Sequence, residues 1–216
     1  MREVFHDEMD EIGAGVAEMI RLVAAAIEQA TGSLLDADLA RAERVIDADI
    51  RVDALRADLE DRAFQIIARQ QPVATDLRTL VTTLHLVADL ERMGDLALHV
   101  AKIARLRFPE VAVPSDARDV IAQMGDVAQS LVHKVADVVE GRDIQLAQAI
   151  EAEDDSMDAL RRKLFTLVLS PRWQHGTEAA IDMTLLGRYY ERYADHAVAV
   201  ARRTIFIVTG ERPVPI

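Results

Sequence analysis

The 216-residue chain has no cysteine, so disulfides, thiolate-bound zinc, thiolate-held iron–sulfur clusters and a cysteine nucleophile are all excluded. Aromatic residues make up only 4% of the chain, and few stretches read as β-branched runs bounded by turns. Positive charge is scarce. Lys and Arg total 25 against 37 Asp and Glu, a net charge of -12, so the average surface repels a phosphate backbone and direct nucleic-acid binding is not expected. Long hydrophobic runs are missing too: AGVAEMIRLVAAAI is interrupted by Glu18 and Arg21, and the N-terminal MREVFHDEMDEIG has acids where a signal peptide needs an apolar core. Neither a membrane span nor a secretion signal is expected, and the absence of cysteine suits a reducing cytoplasm. No P-loop, GxGxxG, GxSxG, kinase or HExxH motif occurs.

What is present is helix-forming: half the residues are apolar, and Ala, Leu, Val, Arg, Asp and Glu dominate. Breaks at Thr31-Gly32-Ser33, Gln71-Pro72, Phe108-Pro109 through Pro114, Gly141, Ser170-Pro171 through Gly176, and Gly210 delimit six segments with helical periodicity. They run at 3–31, 35–70, 73–107, 115–140, 143–169 and 177–209, several long enough for extended antiparallel rods. The fold class is all-α.

The two halves resemble each other. ERMGDLALHVAK at 91–102 matches ERYADHAVAVAR at 191–202, and DIRVDALR at 49–56 matches DDSMDALR at 154–161. Two matches in the same order point to an internal duplication. The expected architecture is two pseudo-symmetric three-helix bundles, 1–108 and 109–216.

Each repeated motif carries two acids four residues apart, which project from one helix face. The pairs are Asp49 with Asp53, Glu91 with Asp95, Asp154 with Asp158, and Glu191 with Asp195. Chance alone gives about six such spacings at this acid content, so phase is the better guide. At roughly 100° per residue, Glu91 and Asp95 interrupt the apolar stripe of Leu80, Leu84 and Leu98, and the other three pairs also point broadly inward. Inward carboxylates need a counter-charge, a proton or a metal. Two readings stand. Convergent pairs would form an oxygen-rich site for iron, manganese or magnesium. Alternatively, Arg56, Arg92, Arg161, Arg188, Arg192 and Lys102 would bridge the acids.

The six histidines offer little. Glu3-Val-Phe-His6 is the one ExxH, whereas a di-iron site of the ferritin type needs that spacing on two helices. His99 and His196 sit at different repeat positions and read as groove residues. Trp173 reads as a loop anchor, and Met9, Met19, Met124, Met157 and Met183 as core. Pro72 suits the first turn of the third helix, Asp76 its early turns, and Arg78 a local ion pair.

The run RQQPVATDLRTLVTTLHLVADLERMGD from Arg69 to Asp95 closely resembles the signature of the PhoU family of phosphate-transport and phosphate-regulon regulators, and ERYADHAVAVAR resembles its second-half counterpart. The resemblance covers nearly the whole chain, except that SPRWQHGTEAA has no QQPVATDLR equivalent. It implies paired three-helix bundles, often dimeric, in a cytoplasmic, non-enzymatic accessory protein. Such a protein would relate the phosphate ABC transporter, through its ATPase subunit, to a membrane sensor histidine kinase and hold the starvation response off when phosphate is plentiful. It also implies metal binding through E/DxxxD motifs, which fall here on Asp49, Asp53, Glu91 and Asp95, and on Asp154, Asp158, Glu191 and Asp195. Gln70, Gln71, Pro72, Asp76 and Arg78 belong to the same signature and read either as a helix corner or as a partner contact. The alternative from another class is a carboxylate-bridged metalloenzyme or metal store; a metal-free helical scaffold is the third.

Overall fold

A computed structural model describes residues 2–211, with side chains from Phe5 onward. Six helices follow in order: α1 (Arg2–Asp36), α2 (Leu39–Gln70), α3 (Ala74–Arg107), α4 (Arg118–Gly141), α5 (Ile144–Val168) and α6 (Gly176–Thr209). No strand occurs among the described residues.

The periodic segments became helices, but two expected breaks moved. The Thr31-Gly32-Ser33 turn does not form: α1 continues to Asp36. Thr31 and Ser33 return their hydroxyls to the carbonyls of Ile27 and Ala30, and the Arg41 guanidinium lies against Gly32 and covers its bare backbone. The turn falls instead at Ala37, in the left-handed region at φ 52°, and Asp38 caps α2 by accepting from the Arg41 amide. At the next corner Gln71 adopts the left-handed conformation and Val73 is the N-cap, so Pro72 precedes α3 instead of entering its first turn. Asp76 does occupy that first turn.

Helices α1, α2 and α3 pack on one another, as do α4, α5 and α6, and the halves meet through α1 on α4 and α3 on α6. The apolar cores of the halves are continuous: one buried cluster draws residues from all six helices. Met19, Met124, Met157 and Met183 lie in it fully buried, as their spacing requires, and Met9 packs half-buried on a smaller cluster around Ile12 and Leu80.

Two tyrosines of α6 reach diagonally across to α1. Tyr193 donates its hydroxyl to the Val23 carbonyl at 3.1 Å, and Tyr190 lies 2.7 Å from Thr31 Oγ1. Because Thr31 already gives its proton to the Ile27 carbonyl, Tyr190 is the donor in that bond. Both phenols are fully buried, which pushes their pKa values up and keeps them neutral. Beneath them, Gly125 of α4 lets α1 come close, since a Cβ there would meet Thr31 Cγ2 at 2.5 Å.

Candidate functional site: two carboxylate seams

The acid pairs lie where α2 meets α3 and where α5 meets α6. The inward phase is realised as a half-buried seam and not as a core position: Asp49, Glu91, Asp95, Asp154 and Glu191 are half-buried, whereas Asp53, Asp158 and Asp195 are exposed. Gly94, inside ERMGD, sets how closely α2 approaches. A Cβ at 94 would sit 3.2 Å from Val52 Cγ1 and 3.4 Å from Asp49 Oδ1, so the glycine lets the Asp49 carboxylate lie against the α3 backbone.

The structure does bring the four acids of each half within electrostatic range. Burial, then Asp53 and Asp95, with a smaller push from Glu91, raise Asp49 to about 6 against the partial relief of Lys102. Burial and Asp95 likewise raise Glu91. In the second half burial, Asp195, Asp158, the adjacent Asp155 and Glu191 raise Asp154 to about 6. No cation stands among the leading influences on Asp154, and Arg202, at the repeat position of Lys102, is paired with Glu151 at 2.5 Å.

Arginine bridging is also realised, with the same symmetry. Arg56 reaches Glu91 at 3.1 Å, and its repeat counterpart Arg161 reaches Glu191 at 3.6 Å. The glutamates are the inner members, with side chains 13% and 12% exposed. Arg92 adds a 2.8 Å bond to Asp95, and Arg188 donates to Glu191. The arginines thus claim the glutamates and leave most of the aspartate charge uncompensated. One oxygen, Glu91 Oε2, is buried with no hydrogen-bond partner.

As a donor set the seams suit hard cations in kind, being all oxygen with surplus negative charge. In placement, no three of the acids or histidines among the described residues stand close enough to enclose one ion.

These shifts carry a pH dependence. Asp49 and Asp154 bind protons more tightly folded, near 6, than unfolded, near 3.8, so their contribution to stability is full below about 4 and lost as pH rises through about 6. Both are half solvated, so screening leaves roughly 1 kcal/mol apiece. Asp49→Asn combined with Asp154→Asn should therefore raise the urea midpoint near pH 7.5 and leave it nearly unchanged near pH 4. Comparing variant with wild type isolates this slope from the opposite one due to groups such as Asp89.

Other placements differ from what spacing implied. Arg78 makes no local pair: it crosses to α6, donating to the Ile207 carbonyl at 3.0 Å and lying over the Phe206 ring. Trp173 is a loop anchor, its indole nitrogen donating to the Gly176 carbonyl at 3.0 Å. His99 stacks on Tyr189, and His196 joins Arg203 on Asp89. Burial opposes ionisation of Asp89, but these two hydrogen bonds outweigh it and hold the carboxyl below its usual range. This α3–α6 cluster joins residues 107 and 114 positions apart, and no spacing signals it.

The model of the PhoU domain matches the chain twice, over 16–104 and 121–204. The chain belongs to the PhoU family. The "Phosphate-specific transport system accessory protein PhoU homolog 2" of Mycobacterium tuberculosis is 48% identical over 99% of this chain and 100% of its own length. The PhoU homolog 1 of Mycobacterium leprae is 46% identical over 99% of this chain and 96% of its own. The crystal structure of PhoU from Pseudomonas aeruginosa superposes with a TM-score of 0.87 at 28% identity, covering 96% of this chain and 100% of that one. The two PhoU matches coincide with the two repeats of the fold, and each contains one carboxylate seam. No helix among the described residues is long and apolar enough to cross a membrane.

Proposed function

We propose that the chain is a cytoplasmic, non-enzymatic regulator of phosphate transport. It links the ATPase subunit of a phosphate ABC transporter to a sensor histidine kinase and holds the phosphate-starvation response off when phosphate is abundant. The observation that carries this reading is the full-length match to accessory proteins of the phosphate-specific transport system, with both PhoU repeats intact. Deleting the gene in its native host should derepress phosphate-starvation genes at high phosphate, read with a promoter reporter. Expression that stays repressed would overturn the reading.

Within it, the two seams take up hard cations such as magnesium, manganese or iron. The support is the surplus of aspartate charge left after Arg56 and Arg161 claim the glutamates, together with the buried Glu91 Oε2, which accepts no hydrogen bond and has only the Arg92 guanidinium near it, at 3.5 Å. A cation bound to the folded state alone raises stability by mass action. Manganese should therefore raise the Tm of the wild type, and the Asp49→Asn, Asp154→Asn double variant should lose most of that rise. An equal rise in both proteins would remove the seams as the site. Steady oxidase or phosphatase turnover abolished by Glu91→Ala would favour a metalloenzyme over a regulator.

A further inference from the structure

A cavity of about 690 Å³ lies away from the carboxylate seams, at the junction of the first turns of α3 with the last turns of α6. Its floor is hydrocarbon: Leu77 and Val81 line it at 38% and 41% exposure, beside the Phe206 ring. Val73, just outside, is 74% exposed, so the apolar patch continues onto the surface. The polar groups that line the cavity are Arg78, Arg203, His85 and two threonines, and no carboxylate does, in a chain of net charge -12.

The cations there are incompletely used. Arg78 is fixed by the Ile207 carbonyl and the face of Phe206, yet its Nε is buried without an acceptor. Arg203 gives its Nε to Asp89, and Asp89 is already shared with His196. Two arginines therefore line the cavity, and Asp89 is the one carboxylate to which either is seen to donate.

The pseudo-symmetric end of the α3–α6 seam shows that this chemistry is not a by-product of the fold. Ile181 holds the repeat position of Val81 but does not line the cavity at that end, which is smaller, about 310 Å³, and carries Glu110, Glu178 and Asp182 in its wall. Its arginine, Arg107, is consumed by Asp182 and Glu178. The two ends have diverged to opposite charge.

A wide, mostly apolar cavity is a poor receptor for a bare inorganic anion, which would gain nothing from its floor. It fits hydrocarbon below and carboxylate at the edge. We propose that this cavity docks an acidic amphipathic segment of a partner protein, seating an apolar side chain on Leu77, Val81 and Phe206 while flanking carboxylates meet Arg78 and Arg203. The site is separate from the carboxylate seams, and the inference does not depend on their binding metal.

The test uses the full chain. A phage-displayed library of random 12-residue peptides is panned on it, and an enriched peptide is measured by fluorescence anisotropy. The expected winners place a Leu, Ile or Phe among Asp and Glu and bind more weakly as salt rises. Val81→Asp should weaken binding at least tenfold, as should His85→Glu, a second exposed position that covers the case in which the first variant misfolds. Ile181→Asp, the same change at the repeat-related position, should leave binding intact. The proposal is overturned if no peptide is enriched, if winners lack acids, or if they bind Val81→Asp as tightly as wild type. Sedimentation showing a wild-type dimer that Val81→Asp converts to monomer would also overturn it, by making a second copy of this chain the occupant.

Discussion

Tyr190→Ala is expected to cost about 3–5 kcal/mol of folding stability, the range for removing a large, fully buried aromatic side chain. Tyr190 has no solvent exposure and sits where α6 faces α1 across the join between halves. Truncation opens a cavity and leaves Thr31 Oγ1 without its donor. Tyr190→Phe separates the two effects. It keeps the ring and removes one hydrogen bond, and Thr31 still bonds to the Ile27 carbonyl, so the cost should be about 1 kcal/mol. Thermal unfolding at fixed protein concentration should show a Tm lower by roughly 10 °C for the alanine variant and a few degrees for phenylalanine. Similar losses in the two variants would mean that the hydroxyl contact, and not the packing, dominates.

Arg107→Ala is the second large effect. The Asp182 side chain is only 7% exposed and accepts from Arg107 Nε at 2.6 Å, while Arg107 also donates to Glu178. Its two partners raise the Arg107 pKa further above its already high ordinary value, so the guanidinium is charged at any working pH. Without it, Asp182 remains a buried carboxylate with no counter-charge, a loss of about 2–3 kcal/mol because the site is partly wet. The double variant Arg107→Met, Asp182→Leu should recover most of this by removing the stranded charge along with its partner. A double variant no more stable than Arg107→Ala would show that the ion pair itself holds the end of α3 to the start of α6.

The helices could be read from the sequence because their signals are local. Apolar periodicity is a property of neighbouring turns, and six helices follow from it. The corner at Gly32 could not, because α1 runs on through the glycine, over which Arg41 folds back from the next helix, a contact that no local pattern signals. Pro72 shows the same limit on a smaller scale: the left-handed Gln71 ends α2, and α3 starts at Ala74, one residue later than expected and past the proline.

The carboxylate pairs were legible for the same reason as the helices, since four-residue spacing fixes a shared face. Their partners were only half legible. Arg56 and Arg161 stood out as nearby cations, but only packing decides that they pair with glutamates on the neighbouring helix and leave the aspartates to repel one another. Arg78 shows the opposite failure: a local pair was the simplest reading, yet its partner lies 129 residues away on α6. Residues that join the halves carry no mark in the linear pattern.

The join also bears on the origin of the chain. Helix α1 meets α4 and α3 meets α6, each helix touching its own repeat counterpart, which is the arrangement of an isologous dimer. Fusing the genes of two such subunits relieves each residue of serving both roles at once. Tyr190 and Tyr193 in the second copy stand at the repeat positions of Leu90 and Met93 in the first, and the paired cavities have parted into a basic one and an acidic one. A homodimer must change both copies of a residue together; a fused one can assign different work to each.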